Sequence, residues 1–401
     1  MTPIPSDKIK QFCAAQKQGF SLAQDFYKDI DVYHAEINNI FLKHWLFAGH
    51  VSQIPGVGDY FTFEFDTESV IIVRTDAGEV KAHINVCRHR GSKICLEQSG
   101  SQTSFTCPYH AWNYNLDGEL MSARNMPDDF ERTQNGLHKV NVALLGGVIF
   151  VCLSENPPSV ASLRQDLNST FELFGMHSMK LAEKKSYRIP ANWKLAVENY
   201  QECYHCAPSH QEFAQVHAMA KPPKMFQKAK ENFSQANQGN PKFTEFNRYF
   251  DLAEEGQEGY QYDRNPLLRN ARSGSLGGKT VAPLLGTLQG YDGGASELMI
   301  GPLSYFLIYD DHMIGYRFLP ISADECICDV FWFVNESAVQ GKDYQLEQLT
   351  WLWDVTTQAD KTIIRNNQKG VDSRFYQSGR LSEMERFQQS FLNWYLQALV
   401  K

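Results

Sequence analysis

Two short cysteine–histidine clusters limit the folds open to this chain. C-R-H occupies Cys87–His89 and C-P-Y-H occupies Cys107–His110, with seventeen residues between His89 and Cys107. Both halves sit among short β-rich runs: YFTFEF (60–65), VIIVRT (70–75), VKAHINV (80–86), SFTCPY (104–109), AWNYNLDGEL (111–120) and GGVIFVCL (146–153). Turn residues separate these runs, and Asn115 to Gly118 reads as a hairpin turn. Each cluster therefore places one thiolate and one imidazole on a loop of a small all-β domain. Two such loops facing each other supply two sulfurs and two nitrogens. That donor set suits a zinc ion, or a two-iron cluster with both cysteines on one iron and both histidines on the other. The order of ligands opposes a zinc finger, which has a cysteine pair followed by a histidine pair on a helix. Cys95 and Cys152 lie outside the paired pattern.

The remaining chain is longer than one such domain needs. At about 150 residues per domain, 401 residues make two to three. ENPPSV (155–160) reads as a linker. An N-terminal helical segment, 1–45, precedes the β domain, with Ile37, Ile40, Phe41 and Trp45 on one apolar stripe. The β domain covers 46–155 and a mixed domain covers 156–401. In the latter the pattern predicts a helix over 160–173, a strand at SYRIP and a helix from Trp193 to Cys206. Residues 220–280 read as long irregular surface structure. Strands follow at 298–302, 305–311, 313–320 and 326–334, with period-2 character that predicts an antiparallel sheet. Helices close the chain from Asp343 to about Asn367 and from Ser382 to Leu399, the second opened by a Ser382/Glu385 capping box. The fold class is α+β.

Composition excludes several function classes. Hydrophobic residues at 43% and charged residues at 21% are globular values, and a net charge of -8 argues against a nucleic-acid footprint. A local basic stretch, Lys221 to Lys230, is a place for a docking partner. The longest apolar run, Val142 to Leu153, falls short of the roughly 20 residues a membrane crossing needs and reads as a bent pair of buried strands. The N-terminus has no apolar signal core, so no membrane and a cytoplasmic location are expected. Nine cysteines, an odd count, do not form a disulfide framework.

A second constellation lies in NWKLAVENYQECYHCAPSH (192–210). His205 and His210 would point about 140° apart on an unbroken helix, but Pro208 interrupts it. A helix ending near Cys206 and turning at Pro208 would bring the imidazoles together. Two histidines and one carboxylate form the facial set of non-heme Fe(II) oxygenases. Alone, H-x4-H is weak, and His217 could equally be a surface residue.

CRHRGSKIC…CPYHAWNYNLDGEL resembles Rieske proteins, and with ENYQECYHCAPSH the chain resembles the large (alpha) subunit of Rieske non-heme iron, ring-hydroxylating oxygenases over residues 40–400. The second loop lacks the extra cysteine of respiratory Rieske proteins. The resemblance implies a [2Fe-2S] cluster on Cys87, His89, Cys107 and His110 and a mononuclear Fe(II) on His205, His210 and Asp360. It also implies a catalytic domain of helix-grip type with an antiparallel sheet and C-terminal helices. Asp360 begins DKTIIRNNQKG, which looks like the run after the family's ligand aspartate; Asp354 is the competitor. Glu202 stands where the family carries an acidic residue linking the iron site to the Rieske domain of a neighbouring subunit, its partner there being His110. Cys203 and Cys206 are given packing roles. A separate NAD(P)H-dependent flavin and iron–sulfur reductase and a homotrimer follow from the same resemblance.

Glutamate at 202, RNPLLRN (264–270) and the stretch 277–320 look most like the quaternary-ammonium subgroup: glycine betaine, carnitine, stachydrine and choline monooxygenases. That implies hydroxylation of an N-methyl group, with glycine betaine the leading substrate. Cation–π attraction would then draw on aromatics among Tyr200, Tyr204, Tyr305, Phe306, Tyr309, Tyr316 and Phe318. The competing readings are an aromatic substrate on the same fold and a non-enzymatic Rieske electron carrier.

Overall fold

The computed structural model describes residues 7–248, 253, 255–268 and 270–400. Residues 1–6 of the expected N-terminal segment, 249–252 and 254 of the expected irregular stretch, Arg269 within 264–270, and Lys401 lie outside the described residues.

Three short helices, α1 (Asp7–Ala15), α2 (Asp25–Lys28) and α3 (Ile30–Glu36), lead into a wider turn at Ile37–Phe41. Ile37, Ile40 and Phe41 join one core, but Trp45 does not continue their stripe. The helix has ended by Phe41, so Trp45 enters a second core and its indole donates to the Pro158 carbonyl at 2.7 Å. The β domain follows with β1 (Leu46–His50), β2 (Asp59–Phe65), β3 (Glu68–Arg74), β4 (Val80–Ile84), β5 (Ser99–Ser101), β6 (Phe105–Thr106), β7 (Asn113–Tyr114), β8 (Leu120–Ser122), β9 (Lys139–Leu145) and β10 (Val148–Cys152). Seven of these pair antiparallel in the order β1-β10-β9-β4-β3-β2-β5, and β6-β7-β8 form a small separate sheet. The apolar run 142–153 is the β9–β10 hairpin. It turns at Gly146 and Gly147, both at positive φ; a side chain on Gly147 would meet His50 and the His177 backbone.

The mixed part opens with α4 (Ala161–Leu173) and carries a seven-stranded antiparallel sheet. Its strands are β11 (Met179–Ile189), β12 (Phe246–Arg248), β13 (Tyr260–Pro266), β14 (Gly294–Ile300), β15 (Ser304–Ile308), β16 (Met313–Ser322) and β17 (Glu325–Asn335), in the order β11-β17-β16-β15-β14-β13-β12. Between β11 and β12 run α5 (Trp193–Tyr200), α6 (Cys206–Ser209), α7 (Gln211–Ala214) and α8 (Pro223–Ala236). The long helix α9 (Leu346–Val371) and α10 (Arg386–Leu399) end the chain, and the Ser382/Glu385 capping box forms one turn before α10.

The described residues of 220–280 are more ordered than their composition predicts. They include α8, and β13 is almost wholly buried. Arg264 of β13 is buried because it is paired, with Asp292 at 2.6 Å and with Asp310 at 2.8 Å. A charge enters a core only with such partners.

A seam joins the two sheets. Arg317 on β16 is held by Asp329 on β17 and donates to the Phe47 and Ala48 carbonyls of β1 at 2.9 and 2.6 Å. The Phe47 ring packs on Phe306 and Phe331 at 5.0 and 4.7 Å between centroids. The Asp66 amide donates to the Pro320 carbonyl at 2.9 Å. Among the described residues no helix is long and apolar enough to cross a membrane.

Candidate metal centres and their cavity

The two cysteine–histidine loops have one construction. The Cys87 amide donates to the Ser92 carbonyl at 2.8 Å, and the Gly91 amide returns to the Cys87 carbonyl at 3.0 Å. The Cys107 amide donates to the Trp112 carbonyl at 2.8 Å, and the Ala111 amide returns to Cys107 at 3.0 Å. The closing residue of each loop has positive φ, +76° at Gly91 and +57° at Ala111. Glycine meets that requirement freely, and alanine at a cost of about 1–2 kcal/mol.

Both thiols are buried, and both imidazoles are exposed. The rings meet at Nδ1, 3.1 Å apart, with His89 stacked on Trp112 and His110 against Tyr109. The two thiols also contact each other, and Tyr114 lies 3.3 Å from the Cys87 sulfur. Sulfurs thus pair inside and nitrogens outside, and no three of the four donors gather within 4.8 Å of one another. A single ion would need them gathered. A two-iron cluster, with one end held by sulfur and the other by nitrogen, fits. Tyr114 was not singled out from sequence; a hydroxyl against a ligand sulfur tunes cluster potential.

The second site draws on distant segments. α5 ends at Tyr200, six residues before the expected end at Cys206, and Gln201–His205 form a turn into the one-turn helix α6, which contains Pro208. His205 caps α6 and His210 follows it. Asp360 comes from the middle of α9. The Asp360 Oδ1 lies 2.8 Å from His210 Nε2 and 3.3 Å from His205 Nε2, and the three ligand atoms fall within 4.8 Å. Donors at right angles around an ion at about 2.1 Å are themselves about 3 Å apart, so a facial triad fits these residues. Burial opposes the charge on Asp360, yet the two imidazoles hold its carboxyl below the usual range.

Glu202 places its Oε1 2.5 Å from His205 Nδ1. A carboxylate there fixes the ring so that Nε2 faces the triad. Asp354 is elsewhere: it accepts from Lys185 at 2.8 Å and from Tyr187 at 2.6 Å. His217 is a core residue rather than a surface one, stacked on Phe213 and 2.7 Å from the Tyr309 hydroxyl. Cys203 and Cys206, expected as separate packing residues, form a disulfide around Tyr204 and His205. The tight turn after Tyr200 leaves their Cα atoms 4.9 Å apart, within disulfide reach.

The triad opens on a cavity of about 810 Å³. Of the aromatics singled out from sequence, Tyr200 and Phe306 border it; Tyr204, Tyr305, Tyr309, Tyr316 and Phe318 do not. Tyr204 is 59% exposed at the surface. Tyr305, Tyr316 and Phe318 are packed behind Tyr200, at 4.5, 5.1 and 5.7 Å between centroids. Phe306 belongs mainly to the other face of the sheet, where it packs on Phe47. The basic stretch 221–230 lies along the same cavity, and Lys230 is paired with Asp263 at 2.5 Å. Asp263, Asn265 and Glu297 also line it, and sequence reasoning missed all three. No local motif marks them, because β13 and β14 become neighbours only through the sheet.

A β domain bearing facing cysteine–histidine loops, joined to a sheet-and-helix domain with a two-histidine, one-aspartate site, defines the oxygenase component of a Rieske system. The family models agree: a Rieske [2Fe-2S] domain matches residues 44–140, and the ring hydroxylating alpha subunit catalytic domain matches residues 176–400. The chain belongs to the ring-hydroxylating alpha-subunit family, whose cofactors are that cluster and a mononuclear iron. It is 34% identical over 394 residues to the glycine betaine monooxygenase oxygenase subunit of Pseudomonas aeruginosa, covering 96% of this chain and 90% of that one. It is 34% identical to the carnitine monooxygenase oxygenase subunit of Escherichia coli K12, over 51% of this chain and 56% of that one. In fold it is similar to a quaternary ammonium Rieske monooxygenase in complex with γ-butyrobetaine (TM-score 0.68, 22% identity, 99% of each chain). It is equally similar to naphthalene 1,2-dioxygenase from Rhodococcus sp. (TM-score 0.68, 17% identity, 98% of this chain and 99% of that one). As an oxygenase subunit it works with a separate reductase on a small-molecule substrate.

Proposed function

We propose that this chain is the terminal oxygenase of a cytoplasmic system that hydroxylates an N-methyl group of a quaternary ammonium compound, with glycine betaine the leading substrate. The observation that carries this reading is the near-full-length likeness to glycine betaine monooxygenase oxygenase subunits. In net terms the substrate, dioxygen, two electrons and two protons give the N-hydroxymethyl compound and water. The hydroxymethyl group then leaves as formaldehyde, and dimethylglycine remains.

Cys87, His89, Cys107 and His110 would hold the cluster and His205, His210 and Asp360 the iron; when bound, these supply single electrons and dioxygen activation. The other roles belong to side chains. Glu202 orients His205 through Nδ1, and its second oxygen is bonded by the Tyr204 and His205 amides, which fix the carboxylate itself. Tyr200, braced by Tyr305, Tyr316 and Phe318, presents an aromatic surface to the cavity. Segment 46–155 acts as the Rieske unit and 156–401 as the catalytic unit, with 1–45 packed on the latter. The exposed imidazoles of the Rieske unit suit a homotrimer in which Glu202 reaches the partner subunit's His110.

The test is a substrate screen with the cognate reductase, reading NADH-coupled formaldehyde for glycine betaine, carnitine, stachydrine, choline and a methoxybenzoate, with uncoupled NADH oxidation subtracted. Formaldehyde from glycine betaine is the expected result. Turnover of the methoxybenzoate alone would overturn the reading.

A further inference from the structure

Asp263 on β13 and Glu297 on β14 are directly opposite in the sheet register, and both line the cavity that holds the triad. Carboxylates directly opposite on neighbouring strands repel each other. One cation answers one of them: Lys230, on α8, binds Asp263 at 2.5 Å. Among the described residues Glu297 forms no ion pair, and its hydrogen bond is to the Asn265 amide.

The surrounding oxygens are also unanswered. Asp263 Oδ1, Asn265 Oδ1 and Gln201 Oε1 are buried without a hydrogen-bond partner. Asn265 is only 6% exposed and Gln201 only 7%, and both line the cavity. An unsatisfied buried acceptor is destabilising, so such a group needs an explanation. Tyr200 lines the same cavity, and burial, then the Glu297 charge, raises its phenol.

The wall thus carries one uncompensated carboxylate, three idle acceptor oxygens and an aromatic surface. It repels an anion. A quaternary ammonium has no N–H to donate, but its charge is spread over methyl groups that make C–H···O contacts and lie against aromatic faces. We propose that Glu297 and Asp263, with the free oxygens of Asn265 and Gln201, form the subsite for the cationic group of the substrate, Glu297 supplying its charge. This rests on the quaternary-amine reading above and adds the residues that select for charge. Lys230 has a part in it: by neutralising Asp263 it leaves a single net negative charge to match a single cation.

The test is calorimetric binding to the iron-loaded holoenzyme with three probes: tetramethylammonium, glycine betaine, and 3,3-dimethylbutanoate, in which carbon replaces the charged nitrogen. The parent should bind tetramethylammonium and prefer glycine betaine to its carbon isostere. Glu297→Gln should weaken both cations at least tenfold and leave the isostere unchanged or tighter. Glu297→Asp should recover most of the loss, and Asp263→Asn, which leaves Lys230 to offset Glu297, should weaken both cations by a similar factor. Equal weakening of cations and isostere, or no change in any of them, overturns the subsite. So does a parent that binds no cation. A parent that binds tetramethylammonium through Glu297 but turns over no quaternary amine keeps the subsite and defeats the substrate reading. Turnover of glycine betaine that is indifferent to Glu297→Gln does the reverse. Because glutamine keeps the size and removes a like-charge repulsion, the variant should melt no lower than the parent.

Discussion

The two metal-binding regions are built on opposite plans. Each cysteine–histidine loop closes on itself within six residues through backbone hydrogen bonds, so its geometry is set locally. The His205–His210–Asp360 site has no such local frame. Its aspartate is 150 residues from His210 in sequence, and the local bracing, from Glu202 and the Cys203–Cys206 disulfide, lies on the His205 turn. A local frame survives the loss of one ligand side chain, whereas an assembled site depends on every partner. The first site should therefore fail only when its own ligands change, and the second should respond to residues that never touch the metal.

The largest effect tests whether the regions are separable. Asp360→Ala should lose the mononuclear iron and reduce product formation by about a thousandfold or more, since two imidazoles alone hold Fe(II) weakly, while the cluster keeps its visible and EPR spectra. Cys87→Ser should do the converse, abolishing the cluster spectrum while iron still binds the triad. Iron analysis with EPR on both variants reads this directly. A cluster lost in Asp360→Ala would join what the comparison separates.

Glu202→Gln should act next, retaining both metals but lowering turnover by about 10–100-fold, the usual cost of losing a partner behind a metal-bound histidine. In single turnover, reductase should bleach the cluster at a near-normal rate, and reoxidation with substrate and dioxygen should be slow. Product formation within a factor of two of the parent, at equal iron content, would remove Glu202 from the path.

A pH series gives a smaller effect. Burial, reinforced by the Asp263 charge, pushes the Glu297 carboxyl up to about 7. The groups facing it are Asp263 on β13, Lys230 on α8, and the phenols of Tyr200 and Tyr309. Lys230 is pushed up by Asp263 despite its burial, and burial pushes both phenols far up, so these three stay outside the window. Affinity for glycine betaine, whose ammonium does not titrate, should be high above that value and fall below it, by up to about tenfold between pH 8 and pH 6. Calorimetry across that range checks it, and the dependence should vanish in Glu297→Gln.

The smallest effect lies in the local frame. Ala111→Gly relieves a left-handed alanine, and the more flexible unfolded chain offsets part of the gain. The net should be a stabilisation of no more than about 1 kcal/mol with an unchanged cluster spectrum. Thermal melting is the measurement.

What could be read from sequence follows the same division. Cys87, His89, Cys107 and His110 were legible because each loop is complete within a few residues. His205 and His210 were visible as a pair, but the predicted helix through Cys206 was wrong: the chain leaves the helix at Tyr200 and turns before α6. Asp360 was reached through the resemblance of DKTIIRNNQKG, since no spacing on α9 separates it from Asp354. The helix α8 was missed under its lysines and glutamines, although Phe226, Ala229 and Phe233 recur at helical intervals. Glu297 and Asp263 had no local signature. Strand alternation places Tyr305 and Tyr309 on one face, and both enter the same core, but it cannot tell a cavity-lining ring from one stacked a layer behind it.

The Arg317 seam has a mechanical consequence. One guanidinium is anchored by Asp329 in the catalytic sheet while it grips two successive carbonyls of the first strand of the Rieske lobe, and the Phe47 ring is wedged beside it. A joint clamped at that many points transmits torque instead of bending. These contacts oppose a swing of the cluster-bearing lobe against the catalytic sheet. A substitution such as Arg317→Met should loosen this joint without touching either metal-binding site.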